Sequence, residues 1–248
     1  MIRSSFSGAQ YFTKGLQLVQ LKGIRHLVLI PLLINFVLLT TASVWSFYRL
    51  LDWKDSVYQD SWQWVQWILD NFGWLIWPVV FITILIGLFY FFAIIANWLA
   101  APFNGLLSEA VERHLSGQPL SQQATSLASA LRDLPRIMGR EWSKLVYWLP
   151  KALVCGLLFF IPAVNLIAPL IWLGFSAWMM AVQYIDYPMD NHKVPFNNML
   201  NSLKQRRSGV MGFGAVVMLC MIIPLVNIIT MPVAVAGATA LWYEQIRQ

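Results

Sequence analysis

The chain has 248 residues, of which 58% are hydrophobic and only 11% are Asp, Glu, Lys or Arg, with a net charge of +6. Soluble domains carry about 25% charged residues, so this composition excludes an ordinary soluble enzyme, a disordered protein and a disulfide scaffold, and points to an integral membrane protein. The positive balance reads as topology, because cytoplasmic loops gather Lys and Arg, and no nucleic-acid partner is expected. Residues 1–26 carry Arg3, Lys14, Lys22 and Arg25 and no acid. No apolar stretch directly follows the first eight residues, so no cleaved signal peptide is expected. Between Tyr11 and Lys22, the apolar Phe12, Leu16, Val19 and Leu21 alternate with Lys14 and Lys22, the pattern of an interfacial amphipathic helix.

Four runs without charge follow, at residues 27–48, 71–108, 152–185 and 208–243. A spanning helix needs about 20 residues, so the first run predicts a span at 27–48 and the second a long span at 74–98. The connection between them is the only net-negative one, and it is rich in Trp: Trp45, Trp53, Trp62, Trp64, Trp67, Trp74 and Trp77 mark it and its edges as an outer interface. The basic segments 1–26, 109–151 and 186–207 then share the cytoplasmic side. In 109–151, a loop and helix are expected at 121–134, and Pro135 can open a further helix reaching Leu149.

The third and fourth runs each start and end on that same side, yet two spans with a turn need roughly 44 residues. Both runs are too short for that, and both are broken by prolines. Ile161-Pro162-Ala163-Val164-Asn165-Leu166-Ile167 is echoed by Ile223-Pro224-Leu225-Val226-Asn227-Ile228-Ile229. Proline ends a helix, so each run predicts a helical hairpin that penetrates part-way; two pairs of short, tilted spans are the alternative. A repeated pair of Pro-interrupted segments is the pattern of a transport path. Asn165 and Asn227, at the breaks, could line such a path or cap the backbone. Cys155 and Cys220 lie in these apolar runs and read as small hydrophobes.

Four clusters could carry chemistry. Lys22-Gly23-Ile24-Arg25-His26 precedes the first span. A helix N-terminus attracts anions, and Arg25 adds a donor-only fork; a basic membrane anchor is the other reading. Arg136, Arg140 and Lys144 form one helical stripe suited to anions or lipid phosphates. Glu109 and Arg113 can pair one turn apart beside the Ala101-Pro102-Phe103-Asn104-Gly105 stretch. Asp186-Tyr187-Pro188-Met189-Asp190-Asn191-His192 reads as a structured turn more than as a metal or acid–base site. The chain carries no P-loop, no G-x-S-x-G, no H-E-x-x-H and no dinucleotide fingerprint, so no catalysis, cofactor or metal is expected.

Several long stretches resemble the CysZ family of bacterial sulfate permeases. They include Gly23-Ile24-Arg25-His26, Ile30-Pro31-Leu32-Leu33-Ile34-Asn35, and Ala96-Asn97-Trp98-Leu99-Ala100-Ala101-Pro102-Phe103-Asn104-Gly105-Leu106-Leu107. Further on come Pro135-Arg136-Ile137-Met138, then Gln183-Tyr184-Ile185-Asp186-Tyr187-Pro188-Met189-Asp190-Asn191-His192, and Met231-Pro232-Val233-Ala234. The resemblance implies sulfate entry across the bacterial cytoplasmic (inner) membrane for cysteine biosynthesis, with no ATP hydrolysis. It implies two long membrane helices with two pairs of partly penetrating ones, and a homodimer or higher homo-oligomer in contact with membrane lipid. It also places sulfate on Gly23, Ile24, Arg25 and His26. His26 stands where the family often has a second arginine, so Arg25 is the one permanent cation among these four residues.

The expected fold is therefore an all-α integral membrane protein forming one membrane domain over 1–248. It has an interfacial helix and anion-binding turn at 1–26, long spans at 27–48 and 74–98, a cytoplasmic helical segment at 109–151, and hairpins at 152–185 and 208–243. Asn35, Asn104, Glu109, Arg113 and Asn227 are the candidate pore-lining residues. The competing function is a membrane interaction or scaffold protein that docks partners or anionic lipid through its basic cytoplasmic face. A membrane-embedded enzyme using Asp186, Asp190 and His192 is the third and least favoured.

Overall fold

The computed structural model describes residues 2–118 and 132–247. Every regular element among them is helical. In chain order they are α1 (Ile2–Leu18), α2 (Arg25–Asp60), α3 (Gln63–Leu115), α4 (Leu134–Leu157), α5 (Ala168–Asn191), α6 (Phe196–Gln205), α7 (Arg207–Ile222) and α8 (Pro224–Leu241). Short 3-10 turns occur at Leu158–Phe160 and Val164–Leu166, and a π turn at Trp242–Ile246. Five stretches among the described residues are long and apolar enough to cross a membrane: Arg25–Asp60, Gln63–Phe92, Pro135–Phe160, Ala168–Asn191 and Val226–Ile246. The shorter α7 is apolar as well.

The helices run beyond the uncharged runs that announce them. α2 continues past Tyr48 to Asp60, and α3 past Trp98 to Leu115. Charge marks where a chain meets water, not where a helix must stop, because a polar face is compatible with helix. Pro135 lies in the first turn of α4, where its missing N–H is no loss. From there α4 runs past Leu149 to Leu157. The loop and helix expected at 121–134 fall almost wholly on residues 119–131, outside the described set.

The chain divides into two compact units, Leu29–Ala100 and Met1–Val28 with Ala101–Gln248. In the first, α2 and α3 meet through aromatic rings. Phe47 contacts Phe81 edge-on at 5.3 Å between centroids, and Trp53 contacts Trp77 at 5.7 Å. Gln66 Nε2 donates to the Tyr58 carbonyl (3.0 Å) and the Ser61 carbonyl (3.2 Å) across the connecting turn. Leu33, Phe36, Trp45, Trp62 and Trp74 are exposed, an apolar surface that matches lipid rather than water.

In the second unit, α1, α5, α7 and α8 approach one another at backbone distance. A Cβ built on Gly8 would collide with the Gly209 carbonyl, one on Gly15 with the Val233 carbonyl, and one on Gly237 with the Tyr11 carbonyl. Gly214 lies in the same way against the Ala177 carbonyl. Around these contacts Ala181, Ile185, Val210, Phe213, Val217 and Ala236 are fully buried. The packed face of α1 is Gly8, Gly15 and Leu18, followed by the buried Val19, whereas Leu16, expected on the apolar face, is exposed.

The two proline breaks share one local geometry. Ile161 (φ −92°, ψ 118°) and Ile223 (φ −89°, ψ 111°) are both extended, as a following proline favours. Asn165 N–H donates to the Ile161 carbonyl at 3.0 Å, and Asn227 N–H to the Ile223 carbonyl at 2.8 Å. After the first break Ala163 takes φ 67° and the 3-10 turn at Val164–Leu166 leads to α5; after the second, α8 starts at once with Pro224.

Gly214→Ala is expected to lower stability by about 1–3 kcal/mol, the range for forcing atoms into a packed interior. Gly139→Ala, where a Cβ meets nothing within 4 Å, is expected to be neutral or stabilising by up to about 1 kcal/mol. Unfolding midpoints of the two variants in detergent check the contrast. Equal midpoints would contradict the close packing.

Candidate functional site

The turn between α1 and α2 is a run of tight backbone hydrogen bonds. Leu21 N–H donates to the Leu18 carbonyl (3.2 Å), and the Leu21 carbonyl accepts from Ile24 N–H (3.1 Å) and Arg25 N–H (3.2 Å). Gly23 has φ 95°, a left-handed conformation that glycine adopts without strain. Ile24 is fully buried and pins the turn, while Arg25 and His26 are exposed. The amides of Ile24 and Arg25, both in the expected sulfate cradle, are thus already engaged by Leu21. The Gly23 and His26 amides and the Arg25 and His26 side chains have no acceptor among the described residues. Two N–H groups, a guanidinium and an imidazole at the start of a long helix make an open set of donors suited to an oxyanion.

A second polar feature lies in the same unit. The end of α3, the start of α4 and the end of α5 surround a cleft of about 710 Å³. Its lining includes six acids (Glu109, Glu112, Asp133, Glu141, Asp186 and Asp190) and six bases (Arg113, Arg136, Arg140, Lys144, Lys193 and Arg247). At its base, the buried Asp186 carboxylate is held by two cations. Arg140 contacts Oδ1 through Nε (2.8 Å) and Nη2 (2.6 Å), and Lys144 Nζ lies 3.0 Å from Oδ2. Arg140 Nη1 also donates to the Val194 carbonyl at 2.6 Å. Arg136 pairs with Asp190 and with Asp133, the latter at 3.1 Å. At the rim, Glu112 accepts from Arg247 (2.7 Å) and meets His192 Nε2 (2.8 Å), whose ring stacks on Trp242 at 4.8 Å.

The candidate pore-lining residues separate. Glu109 and Arg113 form an ion pair in the cleft wall. Asn104 is buried nearby, and its Nδ2 donates to the Tyr187 hydroxyl at 3.2 Å. Asn227 is exposed at the start of α8, with its backbone closing the proline break. Asn35 is half-buried in α2, within the other unit.

Spacing placed Arg136, Arg140 and Lys144 on one stripe but did not reveal their partners. Asp186 and Asp190, one turn apart near the end of α5, meet that stripe in register. The four-residue spacing shared by the two motifs is compatible with this pairing but does not by itself select it. Their carboxylates are engaged by arginine and lysine. Among the described residues no group of three or more His, Cys, Asp or Glu side chains is arranged to hold a metal ion.

Asp186→Asn removes one partner of a buried ion network, which leaves Arg140 and Lys144 short of their counter-charge. It is expected to cost about 3–5 kcal/mol. Glu141→Gln, at a half-exposed carboxylate, is expected to cost under about 1 kcal/mol. Chemical unfolding of the two variants checks the difference, and a small effect at Asp186 would contradict the network.

Residues 11–232 match the profile of the family described as Sulfate transporter CysZ/Etoposide-induced protein 2.4. The sulfate transporter CysZ of Salmonella typhimurium is 46% identical over 239 residues, which cover 96% of this chain and 92% of that protein. The protein of the same description from Pectobacterium atrosepticum is 46% identical over 242 residues, covering 97% of this chain and 86% of its own length. The chain therefore belongs to the CysZ sulfate-transporter family, a family of transporters rather than enzymes.

Proposed function

We propose that this protein is a sulfate permease of the bacterial inner membrane, supplying sulfate for cysteine biosynthesis without ATP hydrolysis. The observation that carries the reading is the open donor set at Gly23, Arg25 and His26, in a chain of this family. Sulfate is a pure acceptor at neutral pH, so donors with no competing acceptor favour it over partly protonated phosphate. Arg25 supplies the fork and the permanent charge, the Gly23 and His26 amides supply backbone donors, and the His26 ring adds a further one. Ile24 contributes its buried side chain, which fixes the turn.

From there we place the route at Asn104, Glu109, Arg113 and Asn227, in the same unit as the turn, and Asn35, in the other unit, stays a candidate on sequence alone. Glu109 moderates binding, since an ion held too tightly does not leave. In this proposal α1 lies at the interface, α2 and α3 cross, and the two Pro-broken pairs enter part-way and return, all within one membrane domain. Support comes from Lys151 in α4: only about ten residues, roughly 15 Å of helix, separate it from the break at Ile161. A homodimer or higher homo-oligomer, in contact with lipid, completes the unit. The rival reading, a scaffold that docks partners or anionic lipid through a basic cytoplasmic face, draws on the net charge of +6 and on the exposed Lys22 and Arg25.

Arg25→Ala is expected to weaken sulfate binding about 10- to 100-fold, the worth of a charge-assisted contact, with a smaller loss in His26→Ala. Isothermal titration of purified protein with sulfate checks this. Unchanged affinity in Arg25→Ala would remove the turn from the site.

A further inference from the structure

The anion turn hangs on the end of α1, so the position of α1 sets the position of the donors. Among the described residues, the end of α1 is anchored by the buried Leu18, and two further kinds of contact hold the helix to its unit. The first are the close backbone contacts at Gly8, Gly15 and Gly237. Faces made of glycine bring helices near but carry no projecting side chains, so they fix distance better than they fix register along the axis. The second is directional. Tyr11 Oη donates to Glu244 Oε2 at 3.0 Å, and Lys14 Nζ pairs with Glu244 Oε1. Glu244 thus receives two side chains from successive positions on one face of α1.

Glu244 sits in the π turn Trp242–Ile246, closed by Arg247 N–H on the Trp242 carbonyl at 2.9 Å. Such wide turns are uncommon and recur at functional positions. Burial and the Glu244 carboxylate push the Tyr11 hydroxyl up to about 12, which keeps it a donor at every physiological pH. From Val19 N–H on the Gly15 carbonyl (3.0 Å) the backbone bonds run to Leu21, and the Lys22–Gly23 bend is closed by Ile24 N–H (3.1 Å) and Arg25 N–H (3.2 Å) on the Leu21 carbonyl. A shift of α1 at Lys14 is therefore transmitted to Gly23 and Arg25 rather than absorbed.

We propose that Glu244 is a positioning residue for sulfate binding, acting through Tyr11 and Lys14 to set the register of α1 and hence the placement of the Gly23–His26 donors. It rests on the reading of that turn as the sulfate site. Lys14 and Glu244 are each about one-third exposed, so the pair adds little to global stability; its consequence is local placement.

The test is sulfate titration of the full-length protein, with the unfolding midpoint recorded beside it. Glu244→Ala and Lys14→Glu are each expected to weaken sulfate binding about two- to five-fold, the range of an exposed ion pair, with nearly unchanged midpoints. The double variant Lys14→Glu with Glu244→Lys restores the pair in reverse and is expected to recover most of the affinity, which a general packing defect would not. Unchanged affinity in Glu244→Ala, or no recovery in the double variant, would overturn the proposal. Arg25→Ala separates the two levels. If it abolishes binding while Glu244→Ala does nothing, the positioning role fails and the site stands; if Arg25→Ala itself binds normally, the reading of the turn fails first.

Discussion

Backbone carbonyls lying directly against glycines are the constraint on which the larger unit depends. Where α1 crosses α7 and α8, and where α7 crosses α5, the chain leaves no room for a Cβ. Lipid offers little hydrophobic drive for helices to associate, so close van der Waals contact takes its place. That contact brings α1 onto α7 and α8 and carries the donors of Gly23, Arg25 and His26 to a fixed place. The fully buried Ile24 closes the far side of the turn.

Polar groups in the same unit follow a complementary rule. Asp186 is buried, and it is tolerable there because Arg140 and Lys144 both reach it. Tyr187, next in sequence, accepts from Asn104 of α3. The end of α5 thus ties α4 and α3 together around the cleft. With six acids and six bases in its lining, the cleft is electrically even. The open turn, with Lys22, Arg25 and two free amides, presents donors without acids, unlike the cleft.

Much of this organisation is readable from the residues. The uncharged runs locate α2 and α3, because a charge in hydrocarbon is costly and Trp collects at its boundary. Pro162 and Pro224 locate the two breaks, and the repeated Ile-Pro-x-Val-Asn pattern encodes the same hydrogen bond from Asn165 to Ile161 and from Asn227 to Ile223. Helix ends are less readable. Charge reports the edge of the membrane, whereas α3 keeps its hydrogen bonds through Glu109 and Arg113 to Leu115. Least readable is the packed face of α1. Hydrophobic periodicity weighs Phe12 and Leu16, but close approach selects for the absence of a side chain at Gly8 and Gly15. Partnerships such as Arg140 with Asp186 span dozens of residues, and spacing within one helix cannot choose among distant acids.

On the proposed reading, this chain alone gives sulfate a path that begins at the turn before α2. The most direct measurement is labelled-sulfate uptake into proteoliposomes holding only this protein, at zero potential and without a pH gradient. Uptake that saturates with sulfate and vanishes in Arg25→Ala is the expected result. No uptake, even after a proton gradient is imposed, would contradict the claim and leave a role that depends on a partner.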